Sequence, residues 1–231
     1  MDWHKFWTEY PATLGETDFL AQVCHTVGGK PYGAEDFARM IEYLAGALDL
    51  GPGDRLLDIC CGNGAVTREL ARRCAAAAGV DFSATLIDRA RRYNAEPNLT
   101  YHIGDARHLD APGLAVAGGF TRVSMFFSLQ HLSEADLEPL LDAILAVSAP
   151  SAVILFGGVL DRTRKHLYLD TAEKRAAYEA YVREGRDRLG TWWAPANLAA
   201  AAERRGLACV IDQTSEGRLG GHYRFDARLH R

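Results

Sequence analysis

The residues best suited to chemistry lie in Leu56-Leu57-Asp58-Ile59-Cys60-Cys61-Gly62-Asn63-Gly64. A carboxylate sits within a short apolar run, and two glycines one residue apart follow it. Glycines let a backbone pass close to a ligand, and a helix opening at Ala65 would present unpaired N–H groups there. Asp81 closes the next strand-like run. A carboxylate in that place can accept hydrogen bonds from ribose hydroxyls. On these residues alone the pattern suits any cofactor that contains adenosine.

The elements that must position these groups can be read from periodicity. From residue 54 strand-like and helix-like segments alternate, which predicts an α/β fold with a mostly parallel sheet. Strands are expected over Arg55–Ile59, Ala76–Val80, Leu99–Ile103, Phe120–Phe127, Ala152–Phe156, Leu207–Gln213 and Tyr223–Leu229. Helices are expected over Ala65–Cys74, from a Ser83 cap to about Asn94, from an Asp170 capping box to about Leu189 with Gly190 past its end, and over Pro195–Arg205. Ser133–Asp136 reads as another capping box, but Pro139 means that either the first turn is 3₁₀ or the helix starts at the proline. Ahead of the sheet lie helical pieces at about Thr17–His25 and Glu35–Leu48. The expected organisation is one domain over 1–231, with residues 1–50 as an N-terminal helical cap and 51–231 as the cofactor-binding α/β core.

The third expected strand ends in Gly104-Asp105-Ala106-Arg107-His108-Leu109. With it, the ordered set resembles the class I S-adenosylmethionine-dependent methyltransferases. They share an LDxxxGxG strand-turn, an acidic residue closing strand two and a GDAxxL closing strand three. Phe120–Leu132 resembles that family's next motif. The resemblance covers about residues 50–160. It implies a Rossmann-like, doubly wound, seven-stranded sheet with an antiparallel last strand, and S-adenosyl-L-methionine as cofactor. It also implies roles. Gly62 and Gly64 would let the loop approach the methionine part, and Asp58 would hold that loop. Asp81 would bind the ribose diol, and Phe82 would lie against the adenine. Asp105 would accept from the adenine amino group, with the Ala106 N–H on the ring. The backbone of Phe126, Phe127 and Ser128 would close the methionine end. Two positions depart from the family: Cys60 stands for its first glycine, so the turn is wider or the cysteine contacts cofactor, and Thr121 replaces an acidic residue.

Methyl transfer is an in-line displacement for which the protein supplies alignment and a dry pocket. Ligands of such sheets lie at the carboxyl ends of the strands, which puts Ser128, Gln130, His131, Asp161, Arg162, His222 and Tyr223 on the acceptor side. His131, His222 and Tyr223 are the candidates for proton handling; His131 reads first as a positioning or helix-entry residue and then as the base, and Asp161-Arg162 reads first as a surface turn. Trp7, Tyr10, His25, Ser128, Arg162 and Trp192 are candidate acceptor contacts. Trp3, Phe6, Trp7 and Tyr10 recur at helical spacing, as a core stripe or as a pocket wall. The loop Cys24–Pro31, with Gly28 and Gly29, suits a hinge or a backbone approach to ligand.

Composition removes other classes. The 26 Lys and Arg against 30 Asp and Glu leave a net charge of −4, with no basic surface for nucleic acid or anionic membrane. No long apolar run predicts a transmembrane helix, and the N-terminus is not a secretory signal. Cys24, Cys60, Cys61, Cys74 and Cys209 form neither a disulfide framework nor a zinc site, which points to the cytoplasm and to no metal. The expected partner is a small-molecule acceptor, and the expected assembly a monomer or homodimer. A methyltransferase fold serving as a cyclase or binding module is the alternative. An NAD-dependent oxidoreductase fits less well, because Thr67 occupies the third-glycine position and Asp105-Ala106 goes unexplained.

Overall fold

The computed structural model describes residues 1–27, 29–110, 113–187, 189–213 and 221–231. Among them, one sheet contains β1 (Arg55–Ile59), β2 (Ala76–Asp81), β3 (Leu99–Ile103), β4 (Phe120–Phe126), β5 (Ser148–Leu160), β6 (Ala208–Asp212) and β7 (Arg224–His230). The strand order is β3-β2-β1-β4-β5-β7-β6. β1 pairs in parallel with β2 and β4, β2 with β3, and β4 with β5. β7 runs antiparallel to both of its neighbours. The sheet grows outward from β1 in one direction and then, with β4, in the other. That reversal opens a crevice at the carboxyl ends of β1 and β4, where ligands of doubly wound sheets bind.

Helices α1 (Trp3–Glu9), α2 (Phe19–Gln22) and α3 (Ala34–Leu48) precede the sheet. α4 (Ala65–Ala71), α5 (Ala84–Tyr93), α6 (Leu137–Val147), α7 (Lys165–Tyr168), α8 (Ala172–Arg183) and α9 (Pro195–Glu203) follow in turn. Strand residues alternate between the two faces. Leu57, Ile59, Val123, Met125 and Phe156 pack with Leu140, Ile144 and Leu198 of α6 and α9. Leu56 and Leu155 pack with Ile41, Leu44, Leu48 and Leu70 of α3 and α4. Burial on both faces explains why the parallel strands read as continuous apolar runs.

Several boundaries differ from expectation for local reasons. The N-terminal piece expected over Thr17–His25 keeps only Phe19–Gln22 as helix, because Cys24 turns left-handed at φ 55°. Thr26–Val27 then pairs with Lys30–Pro31 as a short ribbon; Gly28, part of the expected hinge, lies outside the described residues. β5 is longer than expected. It continues through Gly157 and Gly158, which lie within a register shift between Phe156 and Val159 against β7. α8 ends at Arg183 rather than near Leu189. There Gly185 takes φ 65°, its N–H bonds the Val182 carbonyl and the Arg186 N–H bonds the Tyr181 carbonyl, a Schellman end. Before α6, the Ser133 capping box closes a 3₁₀ turn over Glu134–Asp136, and the α-helix starts at Leu137. No helix among the described residues is long and apolar enough to cross a membrane.

Candidate functional site

The glycine turn after β1 is held from three sides. The Gly62 N–H donates to Asp81 Oδ2 at 3.0 Å, and the Ser83 N–H donates to Asp81 Oδ1 at 2.8 Å. Burial pushes the Asp81 carboxyl up to about 6, against the pull of those two N–H donors. Asn63 Nδ2 donates to the Phe19 carbonyl and to Gln22 Oε1, each at 2.8 Å, tying the turn to α2. Gly64 sits at φ 76°, and a Cβ there would lie 2.2 Å from the Tyr101 hydroxyl, so both dihedral and space require glycine.

Asp58 lies beneath this turn, buried, between two hydroxyls. Thr67 Oγ1 donates to one oxygen at 2.5 Å and Ser124 Oγ to the other at 2.6 Å. Burial raises its pKa and the two hydroxyls oppose that rise. Ser124→Ala leaves one buried carboxylate oxygen without its donor. It is expected to lower stability by about 1–3 kcal/mol at neutral pH, read by urea denaturation.

The departures from the family pattern have a local account. Cys60 adopts φ 58°, the left-handed backbone that a glycine would supply freely, so the turn keeps its course at an intrinsic penalty of roughly 1–2 kcal/mol. Burial raises the Cys60 thiol well above its ordinary value, with the carboxylates of Asp81, Asp58 and Asp105 adding to the rise. Thr121 donates to Asp54 Oδ1 at 2.8 Å and accepts from the Arg55 N–H at 2.9 Å, so an acid one residue before β1 occupies that corner.

A cavity of about 220 Å³ brings together Asp58, Cys60, Gly62, Asp81, Phe82, Asp105, Ala106 and Phe127; Gly64, which shapes the turn, is not among the residues lining it. Asp105 is the most exposed of its acids. Arg107 Nε and Nη2 hold its two oxygens at 2.9 and 2.5 Å and keep its carboxyl below the ordinary range. α1 covers part of this cavity with Trp3, His4 and Trp7. His4 stacks on Phe82 with 5.0 Å between ring centroids, and Ser83 Oγ donates to the Trp7 carbonyl at 2.9 Å.

A second cavity, of about 330 Å³, adjoins the first. His25, His131, His222 and Tyr223 line it, and Trp7, Val23, His25, Phe127 and His131 border both. Ser128 lines the first cavity, its hydroxyl donating to the Phe126 carbonyl. Burial holds His25 down to about 4; burial and then the Arg224 charge hold His131 down to about 3. Both imidazoles are therefore neutral at pH 7.

Three expected acceptor residues stand apart from both cavities. The Tyr10 hydroxyl donates to the Ala21 carbonyl and its ring stacks on Phe6, inside the cap. Arg162 reaches to the Trp192 carbonyl and pairs with Glu134. Trp192 is buried behind Tyr223 and Tyr168, 6.2 and 6.1 Å between centroids. Asp161 is no surface residue: it is fully buried and accepts from the Thr163 N–H and Gln213 Nε2. Sequence reading missed Tyr32 and Arg224 in the second cavity. The one signal for Arg224 was a charge at the head of an otherwise strand-like RFDARLH. Among the described residues, no group of three His, Cys, Asp or Glu side chains is arranged to hold a metal ion.

Residues 56–151 match a family model described as a methyltransferase domain. A 2-phytyl-1,4-naphtoquinone methyltransferase of Nostoc is 32% identical over 132 residues, covering 52% of this chain and 56% of that protein. A dTDP-3-amino-3,6-dideoxy-alpha-D-glucopyranose N,N-dimethyltransferase of Streptomyces fradiae is 30% identical over 145 residues, 61% of this chain and 52% of that protein. The match thus spans about half the length of these relatives. In fold, the chain is similar to magnesium protoporphyrin IX methyltransferase of Synechocystis with bound S-adenosylhomocysteine. The TM-score is 0.62 at 14% identity, over 99% of this chain and 97% of that one. Motif order, strand order and these matches agree: residues 56–151 carry a methyltransferase domain, and the sheet has the Rossmann-like methyltransferase fold that this neighbour shows with bound S-adenosylhomocysteine.

Proposed function

We propose that the chain transfers a methyl group from S-adenosyl-L-methionine to a small-molecule acceptor. The observation that carries this reading is the convergence of the glycine turn, Asp58, Asp81 and Asp105 on one cavity that adjoins a second, aromatic-walled one. Two curated relatives named for a quinone and an amino sugar support a small acceptor. When bound, the cofactor supplies an electrophilic sulfonium methyl. Asp81 would hold the ribose diol, and Phe82, Asp105 and Ala106 the adenine. Asp58, Cys60, Gly62, Gly64 and Phe127 would frame the methionine end. Trp3 and Trp7 would keep water from the reacting atoms. His131 and His25, both neutral, stand where the two cavities meet and would orient the acceptor or take its proton. His222 and Tyr223 would contact the acceptor from the far wall.

The test is cofactor titration across pH. The Asp81 carboxyl of the free protein sits at about 6. Ribose hydroxyls donate to its ionised form, so the bound state has the lower pKa and binding releases a proton below pH 6. The dissociation constant should be flat above that value and rise by up to about tenfold per pH unit below it. Calorimetry between pH 5 and 8 reads this directly. A pH-independent constant would remove Asp81 from the ribose site, and a folded chain that binds neither S-adenosylmethionine nor S-adenosylhomocysteine would overturn the function.

A further inference from the structure

Arg224 is buried in the wall of the second cavity, with 9% of its surface exposed. Its guanidinium donates to Gln130 Oε1 at 2.8 Å and to the Gly158 carbonyl, both neutral acceptors. It lies over the Phe127 ring at 4.8 Å and the Tyr223 ring at 5.4 Å. The ionisable groups that bear on it are the phenols of Tyr223, Tyr32 and Tyr168 and the imidazole of His131; no carboxylate pairs with it among the described residues. The nearest acid along the strand, Asp226, is engaged by the Gly158 N–H at 2.7 Å and by the Tyr43 hydroxyl. Arg72, Arg73, Arg107 and Arg205 each meet a carboxylate. The other buried arginine among the described residues, Arg89, is also held by carbonyls, those of Pro11 and Leu14, but it lines neither cavity, whereas Arg224 lines the second.

A buried cation held only by neutral groups and standing in a cavity wall is stabilised by an anion that joins it there. We infer that Arg224 anchors an anionic group of the acceptor, of the carboxylate class, in the cavity beside the cofactor site. This rests on the methyltransferase reading of the first cavity. The planar guanidinium matches a carboxylate in a two-point fork. A carboxylate so paired has its charge drawn off and is a weak nucleophile, so it serves as the anchor and another atom takes the methyl. Phe127, beneath the guanidinium, borders both cavities, so an acceptor anchored here extends along that ring toward the cofactor.

Benzoate and its neutral isostere benzamide are the probes, titrated into protein saturated with S-adenosylhomocysteine and followed by ligand-observed NMR. Benzoate is expected to bind about tenfold or more tightly than benzamide, as for a charge-assisted pair. Arg224→Gln should bring the two within about twofold, and Arg224→Lys should keep a reduced preference for the acid. The comparison of acid with amide on the unmodified protein needs no variant to fold. Equal binding of the two probes, binding of neither, or an acid preference that survives Arg224→Gln overturns the anchor while leaving cofactor binding intact. Failure of S-adenosylhomocysteine itself to bind would instead fell the methyltransferase reading, and this inference with it.

Discussion

Asp81→Ala is expected to weaken S-adenosylmethionine binding by about 3 kcal/mol, roughly 150-fold. Hydrogen bonds to a charged acceptor each contribute about 1.5–3 kcal/mol. Two effects place this substitution at the upper end. The ribose diol would lose its proposed acceptor, and the Gly62 and Ser83 N–H groups would lose theirs, releasing the glycine turn that would frame the methionine end. Asp105→Ala should weaken binding by less than about 1 kcal/mol, because that acid is partly exposed and already neutralised by Arg107. Calorimetric titration at pH 7.5, with a thermal melt as the folding control, measures both. An unchanged dissociation constant in folded Asp81→Ala would refute the assignment.

The contrast between these acids shows what the sequence could and could not tell. All three stand where strand ends put them, because LLDI, the run to Asp81 and GDA are local patterns with local consequences. Their electrostatics depend on distant residues. Asp58 is satisfied by Ser124 and Thr67, one from a neighbouring strand and one from the following helix. Nothing near Asp58 in the chain names Ser124. The same holds for the acceptor side. Tyr10, Arg162 and Trp192 have suitable chemistry, yet the cap, a Glu134 pairing and the Tyr223 ring take them away from the cavities. Arg224 became visible only when the antiparallel β7 set it against Gln130 and Phe127. Two glycines competed to end α8, and Gly185 won. Gly190 is glycine for another reason: a Cβ there would lie 2.2 Å from the Gln130 carbonyl oxygen.

Deleting residues 1–10 is expected to leave a folded protein that binds cofactor but turns over about 100-fold more slowly. α1 has no buried residue, as befits a segment drawn from the less stable part of a structure. Its aromatic side chains nevertheless line the first cavity, and Trp3 and Trp7 lie 4.2 and 5.4 Å from the His131 ring. The cut must fall before Pro11. The carbonyls of Pro11 and Leu14 accept from the buried Arg89 at 2.6 and 3.3 Å, so a deletion through residue 15 would strip that guanidinium of both partners. With the cut at 10, the sheet, the glycine turn and its Asn63 tie to α2 all remain. What goes is the wall that, on the proposed reading, would shield the sulfonium from water and fix the acceptor, so cofactor affinity should fall by less than about tenfold while transfer slows by about 100-fold. Melting temperature, cofactor titration and S-adenosylhomocysteine release on one sample separate the outcomes. Unfolding would make the aromatic stripe part of the core, and undiminished turnover would show that it neither covers the cofactor nor shapes the acceptor site.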